Sequence, residues 1–177
     1  MPTRWQDGSL HRRATVSDLA AIQQIERAAG QAFRSIGMDR VADDEPVSAA
    51  VFAHFLSGGE AWVTVGHDAS VVAYLLIEPL DLAMHVEQVT VHPRSARQGI
   101  GAGLLDVAGE RAATGEVNAV TLTTFRDVPW NAPYYHRLGF DPLPAEKWGA
   151  GLRHKVTMEA ARGLDDWPRV VMRRPVN

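Results

Sequence analysis

Apolar residues recur at helical spacing soon after the start of the chain. Leu19, Ile22, Ile25 and Ala29 share one face of a helix that Ser17 can cap. Gly30 can end it, although "QAFRSIGM" can prolong it in broken form. The acidic stretch "DRVADDEP" reads as a loop closed by Pro46. A second helix is predicted from Pro46, with Val47, Val51, Phe55 and Leu56 facing inward, until Gly58 and Gly59 break it.

Periodicity then changes. "AWVTV" (61–65) and "SVVAYLLIE" (70–78) are strands joined by the turn-rich "GHDA", and "LAMHVEQVTV" (82–91) continues the meander. A glycine-rich helix follows, ending near Gly115, and "NAVTLTTF" (118–125) is again a strand. Strand, helix and strand from 82 to 125 make a βαβ unit, which requires parallel neighbours. "NAPYYHRLGF" predicts a short helix running into a strand segment, 144–162 a further helix, and "RVVMRR" (169–174) a last strand. The expected fold is α/β: a mixed central sheet, an antiparallel meander followed by a βαβ unit, with helices on both faces.

Composition narrows the classes. With 177 residues, 46% of them hydrophobic, one domain spanning 1–177 and a substantial core are expected. A formal charge of −3 does not advertise a nucleic-acid partner. The absence of cysteine excludes disulfides and a cysteine nucleophile. The seven histidines show no HxxxH or HExxH spacing, so no metal site is expected. No apolar run approaches a membrane span, and "MPTRWQDGSLHRR" lacks a signal-peptide core. The expected setting is cytoplasmic, with no membrane partner.

The chemistry concentrates in "VTVHPRSARQGIGAGLL" (89–105). Gly99, Gly101 and Gly103 each cost a helix about 1 kcal/mol relative to alanine, so a bare backbone must have a use. A helix start offers unpaired N–H groups to phosphate, and glycine lets the phosphate approach. Tight helix–sheet packing is the competing explanation. The spacing is GxGxG after a meander, unlike the dinucleotide-binding GxGxxG after a first strand or the P-loop's GxxxxGK[ST].

Taken together, "VTVHP" (89–93) before "ARQGIGAGLL" (96–105), and the later "NAPYYHRLGF" (131–140), resemble the GNAT superfamily of acyl-CoA-dependent N-acyltransferases. The resemblance covers 82–143 by motif and the rest by element order. It departs at Ala96, where the family usually has Gln or Arg; Arg97 either substitutes from the next position or that contact is absent. The resemblance implies a sheet splayed between 82–91 and 118–125. Acetyl-CoA would be the acyl donor, its pantetheine arm along Val89, Thr90 and Val91, its pyrophosphate on Arg97, Gln98, Gly99, Ile100, Gly101 and Ala102. Gly103 lies too far into the helix and serves packing.

By the same resemblance Tyr135 is the general acid, since a phenol near pKa 10 holds a proton for a departing thiolate. Tyr134 is the packing ring. Glu87, a carboxylate in an apolar strand, is the first candidate base, directly or through water, although alternation does not settle its direction; a solvated or salt-bridged edge glutamate is the plain alternative. His85 and His136 are the other base candidates. Asn131 would touch the cofactor, cap the next helix, or both. The backbone near Val89 would polarise the thioester carbonyl.

The acceptor, a small-molecule or peptide amine, is expected over "FRSIGMDRVADDEP" (33–46), where Asp39, Asp43, Asp44 and Glu45 can attract a cation; a solvated acidic loop is the alternative. Phe33, Trp62 and Trp130 are wall or core residues. The implied function is direct acetyl transfer to a primary amine, with a homodimer possible by family habit. A non-catalytic acyl-CoA sensor is the alternative, and a Rossmann-type nucleotide binder a remoter one.

Overall fold

A computed structural model describes residues 3–4 and 10–176, in two compact units: Met1–Glu78 with Gln88–Val107, and Pro79–Glu87 with Ala108–Asn177. The first eight residues of "MPTRWQDGSLHRR" other than Thr3 and Arg4, with Ser9, lie outside the described residues.

In the first unit, strands β1 (Thr3–Arg4), β2 (Leu10–Arg13), β3 (Glu60–Val65) and β4 (Val71–Leu80) follow one another antiparallel in that order. The β3–β4 hairpin is as expected. β2, paired from Leu10↔Val65 to Arg13↔Trp62, was not. Its inward side chain is His11, 1% exposed, whose Nδ1 meets Thr64 Oγ1 at 2.8 Å. A polar pair fills the place that apolar alternation would have marked.

Helix α1 (Leu19–Gly30) buries Ile22 and Ile25. It is prolonged by a 3-10 stretch, Gln31–Ile36, as the broken-helix reading allowed. The acidic loop contains one helical turn, α2 (Asp39–Ala42), before α3 (Ala49–Ser57). The inward face of α3 needs correcting: Phe52 and Phe55 are buried, whereas Val51 and Leu56 are 45% and 37% exposed. The helix starts after Ser48, whose hydroxyl accepts from Val51 N at 3.2 Å, and not at Pro46. Ile22, Ile25, Phe52, Phe55, Val63, Tyr74 and Leu76 form one core cluster. Glu26 braces this unit, accepting from Val47 N at 2.7 Å while Gln23 donates to Val47 O at 2.9 Å. Burial raises the pKa of Glu26, and burial followed by the charge of Glu26 raises that of Tyr74.

Ser17 is not the cap of α1. Thr15 N donates to Asp18 Oδ2 at 2.8 Å, and Val16–Asp18 forms a 3-10 turn ahead of the helix. Asp18 is thus the acidic member of a capping box with Thr15 as its N-cap, and Arg12 holds the same carboxylate with two bonds, 2.8 and 2.9 Å. The Arg12 hydrogen bond is the main reason the Asp18 pKa is lowered. A group with a lowered pKa stabilises the fold above its unfolded value near 3.9 and loses that contribution as pH falls. Asp18→Asn is therefore expected to cost about 1–3 kcal/mol at pH 7. Urea unfolding at pH 7 and pH 3 checks this, since the gap between variant and parent should narrow at the lower pH.

The second unit carries the start of β5 (Ala83–Val91), the end of α4 (Ile100–Thr114), β6 (Ala119–Phe125), α5 (Ala132–Arg137), β7 (Asp141–Pro142), α6 (Ala150–Ala161) and β8 (Arg169–Pro175). β5 and β6 are parallel, as the βαβ reading requires, but their ladder covers only Met84–Val86 against Val120–Leu122. β6 pairs with β8 over its whole length, to Phe125↔Arg169. It therefore runs three residues past the parallel ladder. β8 also pairs with β7, giving the order β5-β6-β8-β7.

The predicted helix at 144–162 is divided: a 3-10 turn at Ala145–Lys147, then α6. Leu152 is the one buried residue of α6, so polar contacts hold the helix. At its start, Asp81 in the β4–β5 turn accepts from Gly151 N at 2.9 Å and Leu152 N at 3.0 Å. This is a carboxylate cap supplied from another element, on the positive end of the helix. At its end, Glu159 pairs with Arg169 at 2.9 Å and accepts from Thr123. At its middle, Lys155 forms an ion pair with Glu87.

Candidate active site

Val89, Thr90 and Val91 end β5 half-buried, and His92 N donates to Val72 O at 2.8 Å. The Thr90 hydroxyl accepts from Gln88 Nε2 at 2.9 Å. Pro93–Ser95 forms one 3-10 turn, Ala96 is extended, and the backbone turns left-handed at Arg97 (φ 62°) and again at Gly99 (φ 78°) before α4 begins at Ile100. The first helical bond shown across the turn is Gly103 N to Gly99 O, 2.9 Å. The amides of Ile100, Gly101 and Ala102 stand in the first turn, where a helix has no internal acceptors for them.

Open space is not what Gly99 alone provides. A Cβ built there meets nothing within 4 Å, and the demand is conformational, since φ 78° suits glycine. Arg97 adopts the same region without that excuse, at a cost of about 1 kcal/mol. Its side chain and that of Gln98 are exposed, while Ile100 and Gly103 are buried and Gly101 and Ala102 half-buried.

The second unit holds Glu87, Asn131 and Tyr135. Tyr135 lies on α5, half-buried, with edge-on contacts to Tyr134 (centroids 5.5 Å) and Phe140 (6.0 Å). Burial, then Tyr134, pushes its pKa above the ordinary phenol value. Tyr134 in turn lies under the Arg137 guanidinium, 5.8 Å away.

Asn131 precedes α5 without a side-chain cap bond, so the capping role is not the one its side chain takes. Its Nδ2 donates instead to Thr124 Oγ1 at 2.7 Å, and its Oδ1 is buried with no hydrogen-bond partner among the described residues. Turning the amide over would only exchange which atom is orphaned. A buried orphan of this kind is costly unless a ligand completes it, and it is the polar atom that a cofactor amide or hydroxyl would satisfy.

The other base candidates are placed elsewhere. His85 is 1% exposed and its Nδ1 meets Thr121 Oγ1 at 3.0 Å, a core contact. His136 is exposed and paired with Asp141 at 3.3 Å. Glu87 projects from β5 with its side chain 32% exposed and its carboxylate on Lys155, the salt-bridged arrangement that the sequence left open. Sequence reasoning missed Lys155, Asp81 and Thr124. One signal was available: the chain has two lysines, Lys147 and Lys155, against sixteen arginines.

The acidic segment is partly self-neutralised, since Arg34 pairs with Asp43 and with Asp39 (3.5 Å). Trp62 is not core: it lies half-buried under Arg13, 5.2 Å from the guanidinium, and donates to Glu60. Trp130 is 40% exposed, and Phe33 is half-buried. Among the described residues no three His, Cys, Asp or Glu side chains gather to hold a metal, and no helix is long and apolar enough to cross a membrane.

The family model described as the acetyltransferase (GNAT) family matches residues 20–140. Among solved structures, Ard1 from Thermoplasma volcanium is similar with a TM-score of 0.66 at 16% identity, covering 96% of this chain and 98% of that one. The ribosomal-protein-S18-alanine N-acetyltransferase from Escherichia coli gives 0.63 at 17%, with 96% and 94% covered. Rv2747 from Mycobacterium tuberculosis, solved in complex with CoA, gives 0.67 at 19%, with 94% and 99% covered. At these identities the structures speak for the fold.

Proposed function

Because the chain belongs to the acetyltransferase (GNAT) family, we propose that it is a single-domain, cytoplasmic N-acetyltransferase moving an acetyl group from acetyl-CoA to a primary amine by direct transfer. The similar Rv2747 structure contains CoA. The residues fit that donor: a left-handed turn leads into α4 at Gly99, and Asn131 keeps a buried polar atom unpartnered. Val89 to Val91 would hold the pantetheine arm by strand-like pairing, and the amides from Arg97 to Ala102, with the Arg97 and Gln98 side chains, the pyrophosphate. Acetyl-CoA supplies an activated thioester; the remaining work is proton handling by this chain.

The observation that carries the reading is Tyr135, whose hydroxyl stands on the motif position matching the family's tyrosine, on a helix where its ring packs against Tyr134 and Phe140. It has a proton to give to a leaving thiolate at every physiological pH. Glu87 is the base that accepts the proton of the incoming amine, which has to displace Lys155 from its carboxylate. The acceptor is a small-molecule or peptide amine.

CoA thiol release from acetyl-CoA against polyamines, aminoglycosides, amino acids and peptide amines tests this, and a chain with no cysteine contributes no thiol background. Release dependent on one amine class is expected. Calorimetric CoA binding with no release on any amine would favour the sensor reading. Gly99→Ala places a side chain at φ 78°. The strain of about 1–1.4 kcal/mol is expected to weaken CoA binding by up to about tenfold in the same calorimetry.

A further inference from the structure

We propose that Thr124 is a positioning residue for the acyl donor: its hydroxyl holds the Asn131 side-chain amide in one orientation, which leaves the amide oxygen as an acceptor for an N–H or O–H of acyl-CoA. The inference rests on the acyl-CoA reading above. Both residues belong to the second unit.

Val120, Leu122 and Thr124 alternate onto one face of β6 and are 0%, 2% and 3% exposed. Valine has nearly the shape of threonine and buries no polar group, so packing alone does not call for a hydroxyl on this face. The contact that accounts for it is Asn131 Nδ2, 2.7 Å away. Thr121 and Thr123 lie on the opposite face, where they meet His85 and Glu159, so neither duplicates it.

The two backbones that this bond joins are fixed by other contacts. Asn131 N donates to Val128 O at 2.9 Å, and Asn131 O accepts from Tyr135 N at 3.0 Å. Thr124 stands opposite Val170 in the β6–β8 ladder, beyond the last β5–β6 pair, Val86 with Leu122. The side-chain bond therefore decides what the amide presents. With Nδ2 committed to Thr124, the remaining atom is Oδ1, buried and without a partner among the described residues. An unpartnered oxygen calls for a donor, which the amide N–H groups of a pantetheine arm supply. An amide oriented in advance meets its ordering cost in folding; without Thr124 that cost falls on binding.

Calorimetry with CoA on the full chain tests this. Thr124→Val is expected to weaken binding about tenfold, near the upper end for one hydrogen bond. Thr124→Ser keeps the hydroxyl and should stay within about twofold of the parent. In an Asn131→Ala background the valine substitution should change affinity by less than about twofold, because no amide is left to orient. In steady-state kinetics the loss should appear in the KM for acetyl-CoA and not in kcat, since Tyr135 N keeps its acceptor on Asn131.

An equal loss in both backgrounds, or a serine variant as weak as the valine one, would mean that Thr124 only packs, and overturns the inference. A valine variant that binds CoA as well as the parent overturns it too and leaves the acyl-CoA reading intact. A parent protein that does not bind CoA overturns both. One measurement needs no Thr124 variant and stands even if the valine protein folds poorly. The Asn131 side-chain amide protons, assigned by their loss in Asn131→Ala, should exchange with solvent on the order of 100-fold more slowly than those of exposed Gln24 in protein free of CoA. Equal exchange overturns the inference.

Discussion

Tyr135→Phe is expected to lower kcat for amine acetylation by about 10²–10⁴-fold, the usual range for loss of a positioned acid. CoA affinity should stay nearly unchanged, because the ring and its contacts to Tyr134 and Phe140 remain. Steady-state kinetics with parallel calorimetry separate the two effects; equal loss in both would mean that the ring, and not the hydroxyl, is what matters. Its pH signature follows from the burial that raises the phenol's pKa. Activity should show no loss from Tyr135 ionisation up to about pH 10. Stability follows the same sign. A group whose folded pKa lies above its unfolded value near 10 contributes fully below that pH and loses its contribution as pH rises beyond it. Phenylalanine at 135 should therefore soften alkaline unfolding, and buried Tyr74 should keep part of it in the variant.

Phe140→Ala is expected to be the most damaging single truncation near the site. The ring is fully buried, stands 6.0 Å from Tyr135, and lies under Arg174 at 4.9 Å. Removing it should cost about 3–5 kcal/mol. For a chain of this size that lowers the melting temperature by on the order of 10 °C. The functional loss should appear below the melting transition too, as a fall in kcat, because Tyr135 loses the wall that fixes its ring. Phe140→Leu keeps most of the volume and should recover stability before rate. Thermal unfolding and turnover measured on both variants would show whether the two losses separate.

Much of the fold was legible because it is written in apolar periodicity. The β3–β4 hairpin and the crossover follow from apolar runs that are buried in the structure, and the short helix carrying Tyr135 from its motif. What stayed hidden is held by polar groups. β2 turns a histidine inward onto a threonine, and α6 has a single buried residue between three polar anchorages. Neither leaves a hydrophobic stripe to read. The inward face of α3 was misread for another reason: Ala49–Ser57 carries apolar residues around most of its circumference, so hydrophobicity alone does not choose Phe52 over Val51 or Leu56. Among the site candidates, motif spacing singles out Gly99, Asn131 and Tyr135, which the structure gives a left-handed turn, an unpartnered buried amide oxygen and a packed ring. Lys155 lies 68 positions after Glu87 and meets it only because the chain folds, so no local pattern could join them.

The cap on α6 carries a consequence for descent. A Cβ at Gly149 would overlap the Asp81 carboxylate that caps the helix. A chain inheriting a larger residue at 149 must give up the acid at 81, and a chain losing that acid no longer needs the glycine. The two positions should therefore be exchanged together across descendants of this sequence.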